Sequence, residues 1–375
     1  MILSSRIHRH IFRPPISAVH RAVEILNGVR GDSRMQGLVK YDHGPVNMEV
    51  RDMPVPEPGS GEVRVEIRAA GICGTDIHIY KDEYPYRPPV IMGHEFSGIV
   101  DEVSGTDEFR PGDAVTGIPT TVVCGVCRYC VAGQHSLCDS RLSIGSGVHG
   151  VFTKYVVMPA WALRRIPEHL DLTIGALSEP LCCCVKAVSI RTSVTAGDVA
   201  VVTGPGPIGM LTTQVAKAEG AYVILTGTSA DEDRLELGAR WADETVNIEE
   251  VDLPDLVRDR TGGYGADVVY ECSGSAAATR SAIELVRKQG TIMQIGLHGG
   301  PFEVDFFPAE LKEIDIRTSF AGSLDAWDRT MVMLDQRRIE LEPIVSDVVP
   351  LTEWENAFQR LLNREGMKIL FEPVD

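Results

Sequence analysis

The hydrophobic pattern of the chain changes near residue 187. Between residues 35 and 158, short segments such as 62–68 alternate apolar and polar side chains, which is typical of strands buried on one face. From 187 to 320, continuous apolar segments such as 199–203 are followed by helical periodicity, as in 210–219. The pattern predicts an α/β protein in which a small antiparallel barrel precedes a parallel sheet with helices on both faces.

The remaining elements follow the same two periodicities. Further strands are predicted at 222–226, 267–270 and 291–295, with a helix at 276–288. The tail carries helical patterns at 324–338 and 351–363 and then an apolar strand at 367–371, which we expect to pair with the first domain. The predicted units are an N-terminal extension at 1–34, a first domain at 35–186 and a dinucleotide-binding domain at 187–320. A tail at 321–375 is predicted to return to the first domain.

Composition and charge narrow the possible functions. The 375 residues are 44% hydrophobic and carry a formal net charge of −17. Excess negative charge repels phosphate backbones and argues against a general nucleic-acid binder. The sequence has no apolar run of the roughly 18 residues that a membrane span needs. We therefore expect a small-molecule partner and neither a nucleic acid nor a membrane.

The first 34 residues differ from the rest of the chain. They contain six arginines and two acidic residues, a composition typical of organelle transit peptides. Translation from an upstream start codon, with Met35 as the true start, explains the same segment, because the globular pattern begins at Met35. We expect a cytoplasmic protein and leave import into an organelle open.

Four of the nine cysteines form a compact spacing pattern. Cys124, Cys127, Cys130 and Cys138 follow C-x2-C-x2-C-x7-C, so that four thiolates on one loop can converge on a tetrahedral ion. Such a site has no open position and would be a structural zinc site. An iron–sulfur cluster is the competing use of closely spaced cysteines.

The spacing of a second set of possible metal ligands gives weaker evidence for a metal site. Cys73 is followed by His94 and Glu95, and one thiolate, one imidazole and a carboxylate or water can form an open zinc site. A buried cysteine and a hydrogen-bonded histidine are the default interpretation of such a pair. Glu179 could add a carboxylate, although its spacing does not distinguish it from an ordinary glutamate.

A glycine-rich turn follows the first predicted strand of the α/β half. Gly204, Gly206 and Gly209, with Pro207 and Ile208 between them, match G-x-G-x-x-G. The motif is weak alone, but a preceding strand and a following helix are the context of a dinucleotide site. Gly204 would form the turn, Gly206 would admit a pyrophosphate, and Gly209 would allow close helix–strand packing. A plain strand–helix turn is the alternative.

Together these motifs resemble the zinc-containing medium-chain dehydrogenases. The resemblance runs from Met35 to Pro373 and rests on Gly-Ile-Cys73-Gly-Thr-Asp, Gly-His94-Glu95, the four-cysteine loop, Glu179-Pro-Leu, the glycine turn and Glu271-Cys-Ser-Gly274. Within the family the chain is most similar to the polyol branch of sorbitol and L-iditol 2-dehydrogenases, followed by threonine 3-dehydrogenase. The resemblance implies a GroES-like β-barrel catalytic domain and a Rossmann doubly wound parallel-sheet domain.

The resemblance also implies roles for individual residues. Cys73 and His94 would be ligands of a catalytic zinc, and Glu95 and Glu179 would bind it directly or through water. Asp76 would orient His94. Thr75 would hold the substrate hydroxyl and pass its proton to His78.

The expected reaction is oxidation of a secondary alcohol, most plausibly a polyol, to its ketone, with hydride transfer to NAD or NADP. The expected metal content is two zinc ions per chain. The expected assembly is a homodimer or homotetramer. A zinc-stabilised dinucleotide sensor without catalysis and a zinc-free reductase are the alternatives. The presence of Cys73 and His94 argues against both.

The predicted cofactor site departs from the family at the ribose. The second strand ends at Gly227 where NAD-dependent members carry an acidic residue, and Thr228, Ser229 and Arg234 follow. Without that carboxylate a 2′-phosphate is not repelled, so the sequence weakly favours NADP. The predicted cofactor-binding residues also include Ser273. The unusual run 182–184 of three cysteines is either three small packing residues or an oxidation-sensitive element.

Overall fold

The computed structural model describes residues 33–373, so most of the N-terminal extension lies outside the described residues. Its strands are β1 Arg34–Lys40, β2 Met48–Pro54, β3 Glu62–Gly71, β4 Val90–Ile91, β5 Glu95–Ser104, β6 Ala114–Gly117, β7 Thr120–Val122, β8 Leu142–Ser143, β9 Tyr155–Pro159, β10 Leu163–Arg165, β11 Val199–Thr203, β12 Tyr222–Gly227, β13 Glu244–Asn247, β14 Ala266–Glu271, β15 Val286–Gln294, β16 Asp315–Thr318, β17 Val345–Pro350 and β18 Lys368–Glu372.

The α-helices are distributed over both halves of the chain. They are α1 Gly74–Tyr80, α2 Arg128–Val131, α3 Leu172–Gly175, α4 Ser178–Val185, α5 Pro207–Glu219, α6 Glu232–Gly238, α7 Leu253–Arg260, α8 Ala276–Leu285, α9 Phe307–Lys312, α10 Leu324–Asp335 and α11 Trp354–Leu362. Within the described residues, none is long and apolar enough to cross a membrane.

The first half of the chain is built mainly from antiparallel strands. A seven-stranded sheet has the order β10-β6-β5-β3-β18-β17, with β9 also paired to β3. Along β3 the buried and half-buried residues alternate, as the period-two pattern of residues 62–68 predicts. Smaller sheets, β2-β1-β4 and β7-β8, lie beside it. This arrangement agrees with the predicted antiparallel barrel.

The second half contains a six-stranded, wholly parallel sheet in the order β13-β12-β11-β14-β15-β16. This order reverses between β11 and β14, as in doubly wound dinucleotide-binding folds, whose ligands bind beyond the carboxyl ends of the strands at that point. All five residues of β11 are buried, as expected for a central strand covered on both faces.

The tail returns to the first half. The predicted final strand is β18, which pairs antiparallel with β3 and parallel with β17. Helix α4 lies where the two halves meet, because Cys182 belongs to the core of the first half whereas Leu181 and Cys184 belong to the core around β11. The first turn of α4 carries Glu179 and therefore faces the junction of the two halves.

Three predicted helices were too long, two at their C-terminal ends and one at its N-terminal end. The helix predicted at 276–288 ends at Leu285, because Val286 already pairs with Ala266 as the start of β15. The helix predicted at 324–338 ends at Asp335, and Arg337 has a positive φ of 56°, which ends the helical conformation. The helical pattern at 351–363 is a short 3-10 turn, Leu351–Glu353, followed by α11.

Candidate active site

Three possible metal ligands converge at the junction of the two halves. Cys73 is the residue before helix α1, and His94 and Glu95 lie at the start of β5. The sulfur of Cys73, an imidazole nitrogen of His94 and a carboxylate oxygen of Glu95 all lie within 4.8 Å of one another. A thiolate, an imidazole and a carboxylate are donors that zinc accepts, so these residues fit a zinc ion.

Asp76 links Cys73 to His94. Its carboxylate is fully buried, and Oδ2 accepts a hydrogen bond from the backbone N–H of Cys73 at 2.9 Å. The other oxygen, Oδ1, lies 3.8 Å from Nδ1 of His94 and has no hydrogen-bond partner among the described residues. The structure thus places Asp76 beside His94, at a distance slightly longer than a hydrogen bond.

Glu95 has a buried cationic partner that the sequence analysis did not identify. Lys368 Nζ donates to Glu95 Oε1 at 2.7 Å and to the carbonyl oxygen of Ile72 at 2.9 Å. Both side chains are almost completely buried. Gly71 makes room for this pair, because a Cβ at that position would lie 2.2 Å from Glu95 Oε2.

Glu179 lies near this group but outside its tightest part. It is buried in the first turn of α4, and among the described residues it does not belong to the set of donors within 4.8 Å of one another. The thiol of Cys183 donates to Glu179 Oε1 at 3.7 Å. Burial raises the pKa of Glu179 to about 7. The positive charge of His94 acts to lower this pKa, and the negative charge of Glu95 acts to raise it further.

Thr75 and His78 occupy one side of α1. They are three residues apart on the helix, so their side chains are neighbours. Thr75 is half-buried and close to Cys73 in sequence. His78 Nδ1 lies 2.9 Å from Glu83 Oε2, and 43% of the Glu83 side chain is exposed to solvent. The two residues are therefore ordered from the buried site towards solvent.

The four cysteines of the second constellation also converge. Within the described residues their sulfurs lie within 4.8 Å of one another and none is in a disulfide. Backbone N–H groups of Cys124, Cys127 and Cys130 donate to neighbouring cysteine sulfurs at 3.3–3.4 Å. Backbone N–H groups of Val126 and Cys127 lower the pKa of Cys124 to about 7. Donors aimed at thiolates on one loop fit a tetrahedral zinc ion.

The glycine turn connects β11 to α5. Gly204 has φ +87°, and a Cβ there would lie 2.7 Å from that of Ser273, so this turn requires glycine. A Cβ on Gly209 would lie 1.9 Å from the carbonyl oxygen of Gly204, whereas Gly206 faces open space. Pro207 is the first residue of α5, followed by the half-buried Ile208. The opening at Gly206 fits a pyrophosphate at a helix N-terminus.

Glu271 organises the loop beside this turn. It is fully buried at the end of β14 and accepts hydrogen bonds from the backbone N–H groups of Ser273 at 2.8 Å and Gly274 at 3.1 Å. The hydroxyl of Thr203 also donates to it, at 3.3 Å. Ser273, predicted as a cofactor residue, thereby comes to lie directly against Gly204.

The end of β12, where the adenosine ribose is expected, carries hydrogen bonds to two acidic side chains. The Thr228 hydroxyl donates to Asp231 Oδ2 at 2.9 Å, and the Ser229 N–H donates to Glu249 Oε2 at 3.0 Å. Arg234 points to the tail instead, since its Nη2 donates to the carbonyl oxygen of Gly366 at 2.7 Å. Gly227 is buried between Pro205 and Asp231.

The chain matches known families over both halves. Residues 59–168 match the alcohol dehydrogenase GroES-like domain, and residues 207–336 match the zinc-binding dehydrogenase family. A sorbitol dehydrogenase of Halalkalibacterium halodurans is 39% identical over 347 residues, which cover 91% of this chain and 100% of that protein. The chain belongs to the zinc-containing medium-chain dehydrogenases. Its predicted GroES-like and Rossmann fold is thereby confirmed.

Two further relatives place this dehydrogenase within the family. A D-arabitol-phosphate dehydrogenase of Enterococcus avium is 36% identical over 342 residues, 90% of this chain and 97% of that protein. The structure of a zinc-binding dehydrogenase from Sinorhizobium meliloti 1021 bound to NADP superposes with a TM-score of 0.84, at 32% identity, over 91% of this chain and 100% of that one. Relatives named L-threonine 3-dehydrogenase are 32–33% identical, so that alternative has no better support than the polyol branch.

Proposed function

We propose that this dehydrogenase oxidises a secondary hydroxyl of a polyol to the ketone, with NAD or NADP as the hydride acceptor. The observation that carries the proposal is the convergence of Cys73, His94 and Glu95 within 4.8 Å at the junction of the two halves. The names of the sorbitol and D-arabitol-phosphate relatives support a polyol as the substrate class.

The chain's own residues would hold the zinc and move one proton. Cys73 and His94 would bind the ion, with Glu95 or Glu179 as the carboxylate, either directly or through water. When bound, zinc supplies the Lewis acidity that lowers the pKa of an alcohol. The Thr75 hydroxyl would accept a hydrogen bond from the substrate hydroxyl and relay its proton to His78, whose partner Glu83 is exposed. Closely packed walls from both halves would exclude water.

We also infer a second, structural zinc at Cys124, Cys127, Cys130 and Cys138. Support comes from the convergence of four sulfurs and from the backbone N–H groups directed at them. Both sites need reduced thiols, which supports a location in a reducing compartment such as the cytoplasm.

The nicotinamide cofactor would bind along the Gly204–Gly209 turn, with its adenosine ribose at the end of β12. The absence of a carboxylate at Gly227 supports NADP. The hydrogen bonds of Thr228 to Asp231 and of Arg234 to Gly366 support NAD, because a 2′-phosphate would have to displace them. The ratio of kcat/KM for NAD over NADP decides between the two cofactors.

Self-association is expected through the edge of the six-stranded sheet. β16 is an edge strand whose four residues are all exposed. Exposed apolar side chains lie on it and on the neighbouring segment, namely Phe306, Phe307, Leu311 and Ile316. A strand with one open edge and apolar neighbours favours pairing with a second copy of the chain.

A substrate screen tests the proposed reaction directly. Polyols, simple secondary alcohols and L-threonine would be compared by initial rates of NADH and NADPH formation, with zinc content measured in the same preparation. We expect kcat/KM to be higher for polyols than for simple secondary alcohols or L-threonine. A higher kcat/KM for L-threonine, or no oxidation of any polyol, would overturn the proposal.

A further inference from the structure

A cavity of about 560 Å³ draws its walls from four segments of the chain. Residues 84–87 follow helix α1, residues 141–143 and 146–147 surround β8, residues 136–139 belong to the four-cysteine loop and include Cys138, and Phe320 comes from the segment after β16. The backbone N–H of Arg87 donates to the carbonyl oxygen of Ser146 at 2.9 Å, which joins the first two loops. The cavity is therefore a defined pocket.

Three of the four walls are connected through neighbouring residues to the proposed active site, whereas the fourth belongs to the proposed structural zinc loop. Gly145 packs so closely against Gly93, the residue before His94, that a Cβ on it would lie 2.4 Å from the Gly93 carbonyl oxygen. Phe320 accepts a hydrogen bond from Lys186 Nζ at 2.9 Å, and Lys186 directly follows the helix that carries Glu179. These contacts connect the cavity walls to the segments that carry His94 and Glu179.

Arg141 is held with its charge available to the cavity. Its guanidinium stacks over the ring of Phe320, with Cζ 4.8 Å from the ring centroid, and Nη1 donates to Ser143 Oγ at 3.3 Å. Among the described residues it has no carboxylate partner within ion-pair distance. Stacking fixes the plane of the guanidinium while leaving further N–H donors free.

Arg87 brings a second positive charge to the same cavity. Its guanidinium is exposed and forms neither a hydrogen bond nor an ion pair with any residue in the range 33–373. The lining also includes the exposed carboxylate of Asp139, which neither arginine contacts within ion-pair distance in the described part of the chain. Within residues 33–373, the cavity therefore carries two guanidinium groups that have no carboxylate partner.

From these contacts we propose that Arg87 and Arg141 bind an anionic group at the end of the substrate, and that the substrate is a polyol carrying a terminal phosphate. Paired guanidinium groups match the charge and the several acceptor oxygens of a phosphate monoester, and a carboxylate shares this chemistry to a lesser extent. The hydroxyls of Ser143 and Ser146 line the same cavity and can donate to the remaining oxygens. This inference rests on the proposed polyol oxidation.

The test compares substrates that differ in one terminal group. D-arabitol, D-sorbitol and galactitol would each be assayed as the neutral polyol and as a terminal monophosphate, with D-gluconate as the carboxylate probe. The expected result is a kcat/KM at least about tenfold higher for a phosphate than for its neutral polyol, as one charge-assisted contact suggests. Its KM should rise with ionic strength, because salt screens the attraction.

Arginine variants assign this preference to the cavity. In Arg87→Ala and Arg141→Ala the ratio of kcat/KM for phosphorylated over neutral substrate should fall at least about tenfold. Arg141→Lys, which keeps the charge but loses the planar fork, should give an intermediate ratio. The matched control is Arg110→Ala, whose side chain is 87% exposed elsewhere on the same half, and its ratio should equal that of the wild type. A ratio within one preparation does not depend on the fraction of folded enzyme.

The outcomes separate this inference from the proposed function. Oxidation of neutral polyols as efficiently as of their phosphates, or a ratio unaffected by both alanine variants, would overturn the anion site and leave polyol oxidation standing. A preference for D-gluconate that both variants remove would support the anion site and identify a carboxylate as the bound group. Absence of oxidation of every polyol, neutral or anionic, with both cofactors would overturn the proposed function as well.

Discussion

Lys368 Nζ lies 2.7 Å from Glu95 Oε1, and the two residues form a buried ion pair at the edge of the proposed zinc site. Both of its members are almost fully withdrawn from water. Removing one partner of a buried pair leaves the other as an uncompensated charge, which is far more costly than losing a surface pair. The C-terminal strand β18 thereby contributes to the site as well as to the first sheet.

Substitution Lys368→Met should reduce stability markedly. We expect the free energy of unfolding to fall by about 3–5 kcal/mol, because Glu95 would remain buried without a cation. Urea unfolding of the chains after removal of zinc with a chelator measures the change, and the double variant Glu95→Gln, Lys368→Met should regain part of it. The matched control is Lys217→Met, which breaks the partly exposed pair with Asp243 and should cost about 0–1 kcal/mol. Equal losses in Lys368→Met and Lys217→Met would contradict the prediction.

The sequence revealed most of the chemistry because the motifs are local. The cysteine spacing of 124–138 and the turn 204–209 each lie within one loop, so their convergence follows from spacing and local geometry. The spacing of Cys73, His94 and Glu95 alone gave only weak support for a metal site. The family resemblance supplied the main support for it. The two halves of the fold were predicted because their periods, two and 3.6, differ clearly.

Contacts between distant segments could not be predicted in the same way. Lys368 lies 273 residues after its partner Glu95, and no local pattern distinguishes it from a surface lysine. Arg234 was included in the predicted cofactor site as the nearest positive charge after Gly227, and its guanidinium donates to Gly366 of the returning tail. The end of α8 was missed because helical periodicity continues into residues that pair as β15.

Zinc content should separate the two proposed metal sites. The wild-type chain should contain two zinc ions, and Cys73→Ala should lose one ion and its turnover while remaining folded. Cys127→Ala should lose the other ion and unfold at a lower temperature, because a structural ion contributes to the free energy of folding. Elemental analysis and thermal unfolding measure both effects. Cys184→Ala, which changes a buried thiol outside both sets, should keep two ions. A wild-type content of one ion or none would rule out the two-site proposal.

The residues before Ser33 should be dispensable for folding and activity. The first described contact is a backbone hydrogen bond from Val55 N–H to Ser33 O, and β1 begins at Arg34, which pairs with Pro54. A chain beginning at Ser33 keeps these contacts and should retain full kcat/KM and thermal stability. A chain beginning at Met35 loses the Ser33 hydrogen bond and the pairing of Arg34 with Pro54, and should be destabilised by about 1 kcal/mol. Loss of activity in the chain that begins at Ser33 would show that the extension contributes to the enzyme.

Self-association should depend on the exposed apolar surface next to β16. Leu311→Glu places a charge where 65% of an apolar residue is exposed, and Phe307→Glu does the same where 63% is exposed. Each should lower the molar mass measured by light scattering towards that of one chain, 40.9 kDa. Tyr264→Ser changes an apolar residue that is 80% exposed elsewhere and serves as the control. A molar mass that is unchanged in both charged variants would place the interface on another surface.

Cofactor preference should respond to charge at the end of β12. Gly227→Asp places a carboxylate where it can bind the ribose diol and repel a 2′-phosphate, so the ratio of kcat/KM for NAD over NADP should rise at least about tenfold. A Cβ at this position would lie 3.0 Å from Pro205 Cγ and 3.1 Å from Asp231 Cβ, so slight adjustment is required. Gly227→Ala introduces the same crowding without charge and should leave the ratio unchanged. Arg234→Ala should lower NADP use only if Arg234 leaves the Gly366 carbonyl to bind the 2′-phosphate. A ratio that is the same in Gly227→Asp and in the wild type would place the adenosine ribose away from the end of β12.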